Sequence, residues 1–264
     1  MHISSHDVAG QILRVGIRRG DKSRPPLLLF NGIGANIELV EPFLETMDGF
    51  EAIIFDVPGV GGSPAPRVPY RPWSLARLSA RLLDKVGYDR VDVLGVSWGG
   101  AIAQQFAFQH AKRCRRLVLA ATSPGHLMVP GKLTTQLKLA SPRRYRDPAY
   151  MERIAGEIYG GRMRNSPELV RKHLRHVRWS SDYGYYLQLM AGVGWTSLPW
   201  LPFLSQPTLI MAGRDDPIVP LANGRILAKL IPDARLVTLD DGHLFLLTSA
   251  PQSAQLITEF LNSR

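Results

Sequence analysis

The segment Gly95-Val96-Ser97-Trp98-Gly99 constrains this chain more than any other stretch. It follows residues 91–96, which read as a buried strand, and precedes residues 101–110, which carry helical periodicity. A serine between two such elements sits on a tight strand-to-helix turn, and glycine flanks it because a Cβ would crowd the backbone. The turn presents the hydroxyl as a candidate nucleophile. At ~7 % glycine usage the pattern arises by chance in roughly one chain in ten of this length, so residues elsewhere decide its meaning.

A serine hydroxyl needs a base to take its proton, and the protonated base needs an anion beside it. The chain has seven histidines. His2 and His6 are terminal, His110 closes a helix, and His126, His173 and His176 lie in a long segment without strand patterning. His243 alone stands in a tight turn, Asp240-Asp241-Gly242-His243, after a core strand. The acid is sought behind the strand at 208–212, where Asp215 and Asp216 adjoin. Asp216, three residues past Gly213 and before Pro217, stands farther beyond the strand tip and is preferred; Asp215, Asp240 and Asp241 remain alternatives. Two backbone N–H groups are expected to face the developing oxyanion: that of Trp98, and that of Ile33 in the loop Asn31-Gly32-Ile33-Gly34. Asn31 is expected to hold this loop through its side chain and to border the substrate. Ile37 stands where a dinucleotide loop would require its third glycine, which removes that reading. Asp56, before Val57-Pro58-Gly59, reads as a turn former.

Strand patterns at 11–18, 27–30, 52–56, 91–96, 117–121, 208–212 and 236–239 alternate with helical ones. This implies an α/β fold with a mostly parallel sheet covered by helices on both faces. The alternation stops over 123–206, which holds ten of the 22 aromatic residues and twelve Lys/Arg against five Asp/Glu. Residues 1–122 and 207–264 are therefore expected to form the core and 123–206 a lid insertion. Within it, Ser166-Pro167-Glu168 opens a helix that places Val170, Leu174 and Val177 on one face and Arg171, Arg175 and Arg178 on the next. His173 and His176 have the spacing of a metal pair but no third ligand nearby.

The formal charge of +10 suits an anionic partner, but no helix-turn-helix, zinc-finger or RNP-like pattern supports nucleic acid. The single cysteine, Cys114, excludes a disulfide framework. The first 26 residues hold no uninterrupted apolar stretch that could serve as a signal peptide, and no run reaches the ~20 apolar residues of a spanning helix, so a cytoplasmic protein without transmembrane association is expected.

Residues 30–36, 55–63, 95–105, 141–145, 192–201 and 240–246 together resemble the intracellular medium-chain-length polyhydroxyalkanoate depolymerases of the α/β-hydrolase superfamily. The similarity runs through the insertion, usually the variable part of an α/β hydrolase. It implies an α/β-hydrolase fold and hydrolysis of (R)-3-hydroxy fatty acid polyesters stored as cytoplasmic granules. The implied route is a serine acyl-enzyme, with no metal and no cofactor. Carried over, the triad falls on Ser97, Asp216 and His243; Asn31 replaces the histidine common before the oxyanion glycine in the wider superfamily. The basic, aromatic insertion suits a lid that docks on the granule, with Trp179, Tyr185 and Trp195 touching the polymer. The residues alone also fit a carboxylesterase for small esters, a 3-hydroxyacyl transferase or a granule-binding protein without catalysis, and they leave the oligomeric state open.

Overall fold

The computed structural model describes residues 1–179 and 181–263. Strands β1 (His2–Val8) and β2 (Gln11–Arg18) form an antiparallel hairpin. Its turn, Ala9-Gly10, takes positive φ at both residues (55° and 84°), the conformation that matches the twist of a two-residue hairpin. Strand β1 has no counterpart in the sequence reading, because only Val8 of its seven residues is buried and an edge strand needs no apolar pattern.

Beyond the hairpin, strands and helices alternate: β3 (Leu27–Phe30), α1 (Ile37–Leu44), β4 (Ala52–Phe55), α2 (Pro72–Val86), β5 (Val91–Val96), α3 (Gly99–Gln109) and β6 (Cys114–Ala120). Helix α2 opens on Pro72 and stops at Gly87, whose φ of 82° only glycine adopts readily. Helix α1 ends at Leu44, and Met47, just beyond it, is buried as well. After the long intervening segment come β7 (Thr208–Gly213), and later α9 (Leu221–Leu230), β8 (Ala234–Leu239), α10 (Phe245–Thr248) and α11 (Ala250–Asn262).

The eight strands lie in the order β1-β2-β4-β3-β5-β6-β7-β8, parallel from β4 to β8. Successive side chains feed opposite cores. Leu27 and Leu29 pack with Phe43 and Ile257 on one face; Leu28 and Phe30 pack with Leu83 and Phe106 on the other. Each fully buried leucine contributes about 2 kcal/mol of apolar burial, so these short strands are fixed by both faces at once. From β3 the chain runs outward to β4 on one side and to β5 on the other, which opens a crevice at the carboxyl ends of β3 and β5. Phe30 pairs with Gly95, so the loop after β3 and the turn after β5 start side by side.

Asp56, at the end of β4, does more than form its turn. Fully buried, it accepts from the Gly62 N–H at 2.8 Å and the Ile37 N–H at 2.9 Å and pairs with Arg14 Nη1 at 2.8 Å, tying β2, α1 and the turn together.

Between β6 and β7 lie α4 (Leu133–Leu139), α5 (Arg143–Arg146), α6 (Pro148–Tyr159), α7 (Pro167–His176) and α8 (Asp182–Gly192). Asp147 caps α6 by accepting from Tyr150 N, and Ser166 caps α7 by accepting from Leu169 N, as its Ser-Pro-Glu start implies. Met151, Ile158 and Val170 form a small core with Ile218 and Val219 from the loop after β7, which fixes these helices over the carboxyl end of the sheet. Helix α7 stops at His176, so Val177 lies past it; the residues it buries are Val170 and His173. Among the described residues no helix is long and apolar enough to cross a membrane.

Candidate active site

At the end of β5 the chain reverses sharply into α3. Ser97 holds φ at +53°, a left-handed conformation that costs a non-glycine residue about 1 kcal/mol or more. A Cβ on Gly95 would collide with Ala103, and one on Gly99 with the Phe30 carbonyl, so both glycines are required by the close approach of α3 to β5 and β3. The turn is bonded on both sides: Ser97 N–H donates to the Ala120 carbonyl at 2.8 Å, and the Thr122 hydroxyl donates to the Ser97 carbonyl at 2.7 Å.

Ser97 Oγ lies 3.0 Å from His243 Nε2, and His243 Nδ1 lies 2.7 Å from Asp216 Oδ2. The other carboxylate oxygen, Oδ1, accepts from the Ile218 and Val219 N–H groups at 2.9 Å each. An ionised carboxylate only accepts, so Nδ1 carries the ring proton and Nε2 offers its lone pair to the serine hydroxyl. Asp216 and His243 are both buried, which shields the pair from water.

The other acids have separate partners. Asp215 accepts from Arg164 at 2.7 and 3.0 Å and from Gly161 N–H at 2.8 Å, and Asp240 accepts from Arg214 Nε at 2.6 Å. Asp241 is buried and accepts from the Gly242 and Arg162 N–H groups and from the Thr248 and Ser249 hydroxyls. It shapes the turn that delivers His243. That turn is also held from above, since His243 N–H donates to the Tyr159 carbonyl at the end of α6 at 2.7 Å.

Facing Ser97 are the loop after β3 and the start of α3. Asn31 donates from Nδ2 to the Asn36 carbonyl and accepts Gly32 N–H on Oδ1, both at 2.9 Å, and it also lines the cleft. Among the described residues the backbone N–H groups of Ile33 and Trp98 have no protein acceptor, which leaves both free for a substrate oxygen. A residue with no distinctive sequence signal joins the two donor segments. Gln188, fully buried in α8, accepts Gly34 N–H on Oε1 at 2.7 Å, while its backbone carbonyl accepts the Trp98 indole N–H at 2.9 Å.

The cleft around Ser97 has apolar walls, among them Val40, Phe43, Leu139 and Leu246, and two tyrosines, Tyr145 and Tyr159. The aromatics expected to touch substrate lie elsewhere. Tyr185 is fully buried with its hydroxyl donating to the Leu139 carbonyl at 2.6 Å. Trp195 is anchored on Gln105 and packs against Trp200, and Trp179 stacks on Tyr145 at 5.7 Å without lining the cleft. Aromatic content located the right segment but not the direction each ring takes from its helix. Tyr145 did carry a signal, since it closes the stretch 141–145 on which the family resemblance partly rests.

His173 and His176 have different surroundings. His176 Nδ1 meets the Lys172 carbonyl at 2.9 Å, whereas His173 is buried, lines the cleft and has no hydrogen-bond partner on either nitrogen. Burial, reinforced by the charge of Arg144, lowers the His173 pKa to about 4. The unfolded chain therefore takes up this proton first: the contribution to stability is intact above about pH 6.5 and is lost as pH falls toward 4. Between pH 7 and pH 5 this amounts to about 2 kcal/mol. Urea unfolding at both pH values should show that loss in the wild type and a shallower one in His173→Leu; parallel pH dependences would show that His173 is not held neutral.

The sequence matches the family described as alpha/beta hydrolase fold over residues 25–250. It is 54% identical over 256 residues to a poly(3-hydroxyalkanoate) depolymerase of Ectopseudomonas oleovorans, covering 97% of this chain and 90% of that protein. It is 30% identical to a pimeloyl-[acyl-carrier protein] methyl ester esterase of Aromatoleum aromaticum, covering 90% of this chain and 98% of the esterase. Among solved structures, the enol-lactonase of Burkholderia xenovorans superposes with a TM-score of 0.84 over 98% of this chain and 100% of that one; at 23% identity this likeness concerns the fold alone.

Proposed function

Because the chain belongs to the α/β hydrolase fold family, and within it to the relatives of poly(3-hydroxyalkanoate) depolymerase, we propose that it is a serine hydrolase cleaving the ester bonds of medium-chain-length poly(3-hydroxyalkanoates). The observation that carries this reading is the 54% identity to that depolymerase over 97% of the chain, which includes the helices over the site as well as the sheet. In this reading His243 takes the proton of Ser97 as Oγ attacks the ester carbonyl. The tetrahedral oxyanion is held by the Ile33 and Trp98 N–H groups, and Asp216 stabilises the imidazolium. His243 then passes its proton to the departing alkoxide, and water, activated by the same base, releases the acyl group from Ser97. The apolar walls of the cleft suit the alkyl side chains of such a polyester.

Residues 123–206 act as a lid that meets the polymer surface. Among the described residues, nine of the fourteen exposed large apolar side chains fall there, including Leu133, Leu137, Tyr183, Met190 and Phe203. This concentration of exposed apolar side chains, on a segment with more than twice as many basic as acidic residues, fits an apolar granule whose coat is amphiphilic and whose hydrolysis products are carboxylates. On this reading the protein works in the cytoplasm, on storage granules.

A latex of medium-chain polyester tests the reading. The wild type should release 3-hydroxy acids from it and should turn over short p-nitrophenyl esters less efficiently. Leu133→Ser with Leu137→Ser should lower adsorption to the latex by about 30-fold or more, each exposed leucine contributing about 1–2 kcal/mol when covered. Rapid turnover of short esters with no release from the latex would instead mark a small-ester carboxylesterase.

A further inference from the structure

Arg144 is the unusual group in the cleft. It is 3% exposed, yet among the described residues it has no carboxylate partner. Its Nη1 donates to the Tyr159 hydroxyl at 3.0 Å and its Nη2 to the Tyr185 hydroxyl at 3.4 Å, its guanidinium lies over the Tyr145 ring at 4.5 Å, and its Nε has no acceptor. A guanidinium stays charged at any ordinary pH, and burying it without an anion costs several kcal/mol. Three tyrosines offset part of that cost without neutralising the charge.

The surroundings are rich in unused donors. His173, 6% exposed, stands edge-on to Tyr159 with both nitrogens unpaired, and the neutral imidazole carries one N–H. The Tyr159 hydroxyl accepts from Arg144, so its own hydrogen remains to be donated. Arg144, His173 and Tyr159 all line the same cleft as Ser97 and His243. One positive charge and three unspent donors, carried by residues that line one apolar cleft, are complementary to a carboxylate.

The position of these groups indicates which carboxylate. The Tyr159 ring stacks on the His243 ring at 6.5 Å with an interplanar angle of 8°, so the cluster lies on the histidine side of Ser97. His243 is the group that protonates the departing alkoxide, and the leaving fragment emerges on that side. In a 3-hydroxy acid the carboxyl carbon is two bonds from the carbon bearing the departing oxygen. When the scissile ester is the last of a chain, the free carboxylate therefore lies about 4 Å from that oxygen, within reach of groups one ring away from the histidine.

On the polyester reading above, we propose that Arg144, His173 and Tyr159 form a carboxylate subsite that receives the free carboxyl end of the polyester and its oligomers. Ser97 then attacks the carbonyl of the last ester, the bond from that carbon to the terminal unit's oxygen breaks, and the oxygen takes the proton from His243. The terminal unit leaves as a 3-hydroxy acid, and water frees the shortened chain from Ser97.

The test compares a trimer of (R)-3-hydroxyoctanoate as the free acid with its methyl ester, reading kcat/KM for each. The wild type should prefer the acid by about 10- to 100-fold, the range of one charge-assisted contact. In Arg144→Gln the ratio should fall to about one, with Arg144→Lys recovering part of it; a ratio within one preparation does not depend on how much of the protein is folded. Inhibition of the wild type by 3-hydroxyoctanoate against its methyl ester makes the same comparison without a substitution, and the acid should bind more tightly by a similar factor. Equal rates on acid and ester, equal inhibition by the two, or a preference that survives in Arg144→Gln would each overturn the subsite. Failure of the wild type to cleave either trimer while it cleaves p-nitrophenyl esters would overturn the polyester reading and this inference with it.

Discussion

Ser97→Ala should lower kcat on medium-chain polyester latex by about 10⁵- to 10⁶-fold, because loss of a triad nucleophile leaves only what the oxyanion donors and substrate binding contribute. The fold should be unaffected. Among the described residues the hydroxyl meets only His243, alanine tolerates the +53° φ no worse than serine, and the bonds to Ala120 and Thr122 are made by the backbone. Unfolding midpoints should coincide within about 0.5 kcal/mol, as for a substitution that neither opens a large cavity nor strands a buried charge. Titrated product release would separate true residual turnover from contamination. Hydrolysis persisting at more than a hundredth of the wild-type rate would sink Ser97 as the nucleophile.

Asp216→Asn should cost about 10³- to 10⁴-fold in kcat, since an amide in this place favours the tautomer whose Nε2 carries the proton and cannot accept one from serine. The asparagine carbonyl can still accept from the Ile218 and Val219 N–H groups, so the loop should hold its shape. Asp215→Asn provides the contrast. That side chain pairs with Arg164 at the surface, and exposed pairs contribute about 0–1 kcal/mol, so activity should change by no more than a few-fold. A greater loss at Asp215 than at Asp216 would reverse the assignment.

The two aspartates show how far the sequence is legible. Both stand behind β7, three residues or fewer past Gly213, and nothing local separates them decisively. Beyond the strand the backbone turns one carboxylate inward to His243 and the other outward to Arg164 and Gly161, and that choice depends on where the His243 turn and α6 lie. The same limit applied to the aromatics of 123–206. Their number was plain, but Tyr145 and Tyr159 line the cleft around Ser97 while Tyr185 and Trp195 pack away from it, because the direction of each ring follows from how five short helices are seated. Gln188, an unremarkable residue in α8, steadies both candidate oxyanion segments through contacts 90 and 154 positions apart in the chain.

The core is the opposite case. Strands β3 and β4, each four residues and buried on both faces, and the Pro-to-Gly span of α2 follow from hydrophobic period and turn chemistry, which act over a few neighbours. The serine turn belongs with them, since its glycines are demanded by the crossing of one strand and the helix behind it. Sequence by itself therefore determined the alternating sheet, the serine at its centre and the histidine turn at its end, all written in short-range patterns. Only the tertiary structure decided which acid meets that histidine, which rings border the cleft, and that Arg144 lies there buried without an anion. Those outcomes are set by contacts between segments remote in the chain, where burial and partner geometry, rather than local preference, determine the free energy.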